Sequence, residues 1–188
     1  KKKFSIFCFV NLKKEKIYEI AIIGAGAAGL YLSNKLKNKQ NIILIESGEK
    51  NKFNNNNKNH NFIMSNNSMH KLNTDHVCGI GGNTNIWGGQ LLPFTSNDIN
   101  KKNGWPIKWK NFSKIYQQIT MEFLNERISF YSQEYLEKST NTKFLKSKNI
   151  NFNFHFSSWL KEPNFKKKYL KKIIEKVDIL YEHYVDSI

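Results

Sequence analysis

What most limits the folds open to this chain is a glycine spacing set in a particular context. Residues 22–36 read IIGAGAAGLYLSNKL, placing Gly24, Gly26 and Gly29 directly after an apolar run. Residues 17–23, IYEIAII, have the make-up of a short strand interrupted by Glu19. Residues 27–38 carry Ala27, Ala28, Leu30, Tyr31, Leu32 and Leu36 at helical spacing and stop at the polar KNKQ. A second strand of the buried type, NIILIE, follows at 41–46. Strand, helix and strand in so short a span predict a βαβ unit with parallel strands, and therefore an α/β fold.

Glycine-rich turns are common, so the spacing alone says little. Its setting gives each residue a physical job. Gly24 allows the tight turn, Gly26 lets the backbone approach a diphosphate, and Gly29 lets helix and strand pack closely. The helix N-terminus brings free N–H groups and a partial positive charge, which suit phosphate. Glu46 ends the second strand 17 residues after Gly29 (46 − 29), near the roughly 20-residue offset of a ribose-binding acid. Its carboxylate can accept from both ribose hydroxyls and would repel a 2′-phosphate, which favours FAD or NAD over NADP. Gly24, Gly26, Ala27, Ala28, Gly29 and Glu46 are therefore candidate cofactor-binding residues, against the plainer alternative of a βα turn with no ligand.

Further along, residues 49–61 are polar and low in complexity, which predicts a mobile surface loop. A second glycine cluster, GIGGNTNIWGG, occupies 79–89. NGWPIKW (103–109) predicts a rigid turn, since Pro106 fixes its own φ and restrains Trp105. An amphipathic helix is expected over 112–124, with Phe112, Ile115, Tyr116, Ile119 and Phe123 on one face and Asn111 as N-cap. NINFNFHF (149–156) alternates as a half-buried strand does. A lysine-rich helix over 164–176 leads to a last strand, DILYEHYVDSI, at 178–188.

Composition excludes some partners. The net charge of +15 suggests nucleic acid at first sight. However, Arg127 is the one arginine in the chain, and asparagine is about as abundant as lysine. Lys and Asn share A/T-rich codons, and base readers lean on the guanidinium fork. Nucleic acid is therefore not the expected partner. Cys8 and Cys78 suggest no disulfide framework, and His70, His76 and Cys78 match no common metal spacing. No apolar run approaches the roughly 18 residues of a membrane span. Residues 1–16 read as a basic N-terminal extension, and a cytoplasmic location is expected. A chain beginning with Lys1 is expected to have its natural start upstream.

CGIGGNTNIWGGQ (78–90), followed by DI (98–99) and GWPIKWKNFSKIY (104–116), resembles the glucose–methanol–choline (GMC) oxidoreductases. The likeness is greatest to the branch with a Gly-Gly-x-(Ser/Thr)-Asn-x-Trp-Gly-Gly motif ahead of a Trp-Pro-Ile segment. DILYEHYVDSI is similar to the family strand whose backbone, near Val185, flanks the adenine. The resemblance implies a Rossmann-like FAD-binding fold over 17–188, present in part, with non-covalent FAD as cofactor. Gly81, Gly82, Asn83, Thr84, Asn85, Trp87 and Val185 join the candidate cofactor-binding residues. Glycines let the backbone lie against a flat ring, and short polar groups suit phosphate or ribityl contacts.

Some departures from the family are informative. The histidine that carries covalent flavin in some members is Ile86 here, which excludes that linkage. Asn83 replaces a small Ser, Thr or Gly, and Trp87 stands where the glucose-oxidase branch has Asn. None of His60, His70, His76, His155 and His183 sits in the family's catalytic motif, so no catalytic residue is assigned. The implied parent reaction oxidises a CH–OH group of an alcohol, sugar or polyol, passing hydride to flavin while a base takes the proton. The chain alone is expected to lack turnover. It would be the cofactor-binding portion of such an enzyme, one half of a split enzyme completed by a C-terminal half, or a non-catalytic remnant that binds a dinucleotide.

Overall fold

The computed structural model describes residues 16–39, 41–51, 77–92, 94–99, 104–124, 137–138, 140–143 and 157–187. The chain divides into two compact units, Lys1–Gly88 with Glu162–Ile188, and Gly89–Lys161. The fold is mixed α/β.

In the first unit, β1 (Ile20–Ile23) leads through α1 (Ala27–Leu36) to β2 (Ile42–Ile45). β1 and β2 pair in parallel, with Ile20 opposite Ile42 and Ile23 opposite Ile45. The βαβ unit expected from the apolar pattern is present, each element a residue or more shorter than its sequence run. β5 (Asp178–Leu180) pairs in parallel on the other side of β2, giving the order β1-β2-β5. All four residues of β2 are buried, as suits a continuous apolar run between two strands. A fully buried side chain of this kind stabilises by about 1.5–3 kcal/mol.

The lysine-rich helix forms over Phe165–Ile173, inside the expected span, and is here called α3. Asn164 caps it, its side chain accepting from Lys167 N at 3.0 Å. Phe165, Tyr169 and Ile173 are buried at i, i+4 and i+8, and the Tyr169 ring meets Tyr31 of α1 edge-on at 6.2 Å. The lysines stay on the outer side. Lys168 and Lys172 lie over the Tyr169 ring, and Lys176 Nζ ties α3's far end to Asn38 Oδ1 at 2.7 Å.

The last strand is shorter than expected: it stops at Leu180. Glu182 takes a left-handed φ of +58°, which an extended ladder cannot accommodate. The chain nevertheless stays beside β2, with Glu182 N bonded to Gly48 O at 3.1 Å and His183 N to Glu46 O at 3.0 Å.

In the second unit, β3 (Gln90–Leu91) and β4 (Ser158–Trp159) form an antiparallel ribbon. After Gly104, at φ +75°, α2 runs from Trp109 to Leu124. The helix therefore starts three residues earlier than expected, and Asn111 is not its cap. The Lys108 carbonyl already accepts from Asn111 N at 3.0 Å and Phe112 N at 3.1 Å, which puts Asn111 inside the first turn. The expected apolar face also divides. Phe112 and Tyr116 stack and meet Phe94, whereas Ile115 is 52% exposed. The expected strand at 149–156, and most of the loop at 49–61, fall outside the described residues. Among the described residues no helix is long and apolar enough to cross a membrane.

Two predictions concern stability. Ser33 lies fully buried in α1, and its Oγ has no hydrogen-bond partner among the described residues. An unsatisfied buried hydroxyl is costly, so Ser33→Ala should stabilise the fold by about 1 kcal/mol, read as a shifted denaturant midpoint. At the N-terminal edge of the sheet, Asp178 accepts from Lys16 and from Tyr18 Oη, the latter at 2.7 Å. Burial alone would raise the Asp178 carboxyl, but the bonds from Lys16 and Tyr18 and the lysine charge hold it below its ordinary value. Burial, then the Asp178 bond and charge, push Tyr18 up to about 12. The Asp178 contribution is therefore complete above about pH 4 and lost as pH falls further, whereas Tyr18 costs stability as pH rises from about 10 to about 12. Asp178→Asn should flatten the acid limb and shrink the alkaline one, each by no more than about 1 kcal/mol for so exposed a cluster.

Candidate functional site

β1, β2 and β5 all point the same way, so their C-terminal ends share one edge of the sheet, and the candidate residues of the first unit gather there. Gly24 turns the chain at φ +88° while its N–H still bonds Ile45 O at 2.7 Å. Gly29 has no room for a side chain: an added Cβ would lie 1.9 Å from Gly24 O and 3.5 Å from Ile22 Cγ2. Gly26 differs from both. It precedes α1 in extended conformation, and an added Cβ would meet nothing within 4 Å. No side chain caps α1, and its first turn holds no acidic residue. The first helical bond runs from Leu30 N to Gly26 O, so the amides of Ala27, Ala28 and Gly29 precede the ladder with their partial positive charge.

Glu46 is 5% exposed and sits directly after β2. Its Oε2 accepts from Ala25 N at 2.7 Å, and its Oε1 accepts from Gly48 N at 2.8 Å and Gly79 N at 3.0 Å. One carboxylate thus gathers the turn after β1, the turn after β2 and the second glycine cluster. Backbone contacts reinforce the junction. Gly81 N bonds Ala25 O at 2.8 Å, a Cβ on Gly82 would lie 3.2 Å from Gly26 Cα, and a Cβ on Gly48 would lie 2.2 Å from Gly79 N. Ala25, Gly48 and Gly79 were not among the sequence candidates. Their available signal was a small residue beside each candidate, Gly48 two places after the acid and Gly79 two before Gly81.

The second cluster turns through Gly81 and Gly82, both at positive φ, into a 3-10 turn over Gly82–Asn85. Its polar side chains have partners within the protein. Asn83 Oδ1 accepts from Val77 N at 2.8 Å. Thr84 is buried, its hydroxyl donating to Gly81 O at 2.6 Å and accepting from Phe165 N at 3.2 Å. Asn85 donates to Ile80 O and Gly82 O, and its Oδ1 accepts from Asn164 Nδ2 at 3.2 Å. Trp87 Nε1 donates to Pro163 O at 2.7 Å, with its ring edge-on to Phe165. These four side chains shape the loop and seat α3 against it, while Ile86 points outward. Val185 is half-buried in the segment that passes Glu46 after β5.

The structure therefore brings Gly24, Gly26, Ala27, Ala28, Gly29, Glu46, Gly81 and Gly82 into one junction. Of the histidines, His183 alone lies among the described residues, and its Nδ1 is 2.5 Å from Tyr181 O. An open polar depression at the opposite edge, lined by Glu19, Lys37, Asn38, Lys39, Asn41 and Lys176, is remote from all of these. Comparison with protein-family models and with curated proteins gives no match to this chain.

The glycines separate cleanly in a substitution test. Gly29→Ala should destabilise the fold by on the order of 3 kcal/mol, because backbone must move to admit the methyl. Gly26→Ala should leave stability unchanged or raise it by up to about 1 kcal/mol, its backbone angles being open to alanine. Urea titration of the two variants beside the unmutated chain checks both.

Proposed function

We propose that the chain is the cofactor-binding portion of a GMC-type flavoenzyme, with a Rossmann-like fold that holds FAD non-covalently. The observation that carries this reading is the meeting of two glycine loops at the carboxyl edge of a parallel sheet, beside an uncapped helix N-terminus. Carboxyl edges of parallel strands are where such folds take their ligands. Open space at Gly26 and the leading amides of α1 suit a diphosphate.

The residues that would hold the cofactor divide by chemistry. Gly24, Gly26, Ala27, Ala28 and Gly29 offer backbone to the diphosphate. Glu46 and the segment through Val185 border the adenosine end, where the carboxylate's charge disfavours a 2′-phosphate. Gly81 and Gly82 give a surface without side chains, while Asn83, Thr84, Asn85 and Trp87 hold that surface in shape. FAD, when bound, supplies the hydride acceptor for oxidation of a CH–OH group in an alcohol, sugar or polyol. Ile86 offers only hydrocarbon at the position where some family members attach flavin, so the association is non-covalent. No residue of this chain is assigned as the base.

Purified chain should quench FAD fluorescence saturably and bind FAD in preference to NADP. Gly26→Ala should weaken FAD by tenfold or more at unchanged stability, and acid precipitation should free all the flavin. Equal binding of NADP, or no binding of FAD, would overturn this reading.

A further inference from the structure

We propose that the aromatic turn and helix start of the second unit form a docking surface for an anionic lipid bilayer. Trp105 and Ile107 enter the headgroup boundary there, and Lys108, Lys110 and Lys114 meet the lipid phosphates. The surface lies within one compact unit and requires no bound dinucleotide.

Phe94, Trp105, Trp109, Phe112 and Tyr116 form one cluster of rings, the touching pairs having centroids between 5.5 and 6.4 Å apart. Rings gathered in this way ordinarily close a core, yet none of the five is buried. Phe94 is 44% exposed, Trp105 37% and Ile107 38%, and residues 104–108 are exposed one after another. Apolar surface held in water at an exposed turn is unfavourable until something covers it. Charge says what the cover is. Residues 99–121 contain five lysines and no acidic residue. Trp109, Phe112 and Tyr116 follow one another along α2 at i, i+3 and i+7, and Lys110 and Lys114 stand on the adjoining stripe. Lysines at the start of a helix add to its partial positive end instead of offsetting it, so α2 by itself gains nothing from Lys108 and Lys110. An anionic bilayer uses both features: rings settle at the headgroup boundary while lysine stems carry their charge to the phosphates. A protein partner fits less well, because the cores of protein interfaces are enriched in arginine and depleted in lysine. Lysine is abundant throughout the chain, so it is the exposed rings that single out this face.

Vesicles of phosphatidylcholine mixed with phosphatidylserine, brominated on the acyl chains, test this on the whole chain. It should bind them at least tenfold more tightly than phosphatidylcholine alone, and the bromine should quench its tryptophan fluorescence. Trp105→Phe combined with Trp109→Phe keeps both rings apolar, so binding should stay within about threefold while most of the quenching disappears. Lys108→Ser with Lys110→Ser should weaken binding tenfold or more, at about fivefold per lysine. Lys171→Ser with Lys172→Ser removes the same charge from the exposed side of α3 and should cost threefold at most. Equal losses from the two lysine pairs would reduce the binding to diffuse charge and overturn the proposal. So would the absence of any preference for phosphatidylserine, vesicle binding without quenching, or quenching that survives the double phenylalanine variant. Dimerisation without lipid that blue-shifts Trp105 and Trp109 would overturn it too, assigning the face to a second copy of the chain.

Discussion

A carboxylate sealed from water needs hydrogen-bond donors, and Glu46 finds three of them on the backbone rather than one cation. Ala25, Gly48 and Gly79 come from three separate turns, so a single side chain sets where those turns lie relative to one another. Backbone contacts tighten the same junction: Gly81 N reaches the Ala25 carbonyl, and Gly82 comes against Gly26. Satisfying the buried anion also satisfies three buried amides, so neither side is left with an uncompensated desolvation cost.

Close backbone approach is the other half of the design. Gly29 against Gly24, and Gly48 against Gly79, are contacts in which a single methyl would collide with main chain. They explain why small residues crowd this edge of the sheet even where no ligand is invoked. Gly24 and Gly26 both have open space where a Cβ would lie; Gly24 is required by its left-handed φ of +88°, whereas at Gly26 neither packing nor backbone angle demands a glycine. The polar residues of the second loop serve the same end. Thr84 and Asn85 reach across to Phe165 and Asn164, so α3 is anchored to the loop as well as to α1.

Local pattern made the βαβ unit legible, because short apolar runs and helical spacing act over a few residues. The lysine-rich helix was legible for the same reason, and Asn164 stands as its cap. Boundaries that depend on one backbone angle were not. Glu182 ends the last strand through a left-handed turn that its side chain does not announce, and Lys108, not Asn111, accepts the first bonds of α2. The glycine jobs at Gly24 and Gly29 could be read from the spacing together with its setting between an apolar strand and a helix. The surroundings of Glu46 could not, since they depend on where Gly48 and Gly79 land in space. The directions of Asn83, Thr84 and Asn85 were equally hidden: short polar side chains look alike in sequence whether they face outward or bind their own loop.

The sheet order has a consequence for how the chain acquires its shape. β2 is the central strand, yet its second neighbour arrives late: Ile43 pairs with Asp178, 135 residues further on (178 − 43). The Thr84–Phe165 and Asn85–Asn164 bonds close spans of 81 and 79 residues. Contacts of such high sequence separation carry a large loop-closure entropy and form slowly. During synthesis the βαβ unit leaves the ribosome with one flank of β2 unpaired, as an apolar strand edge open to other chains. Among the described residues that flank is covered by β5, so the edge of β2 stays open until Asp178–Leu180 have been made.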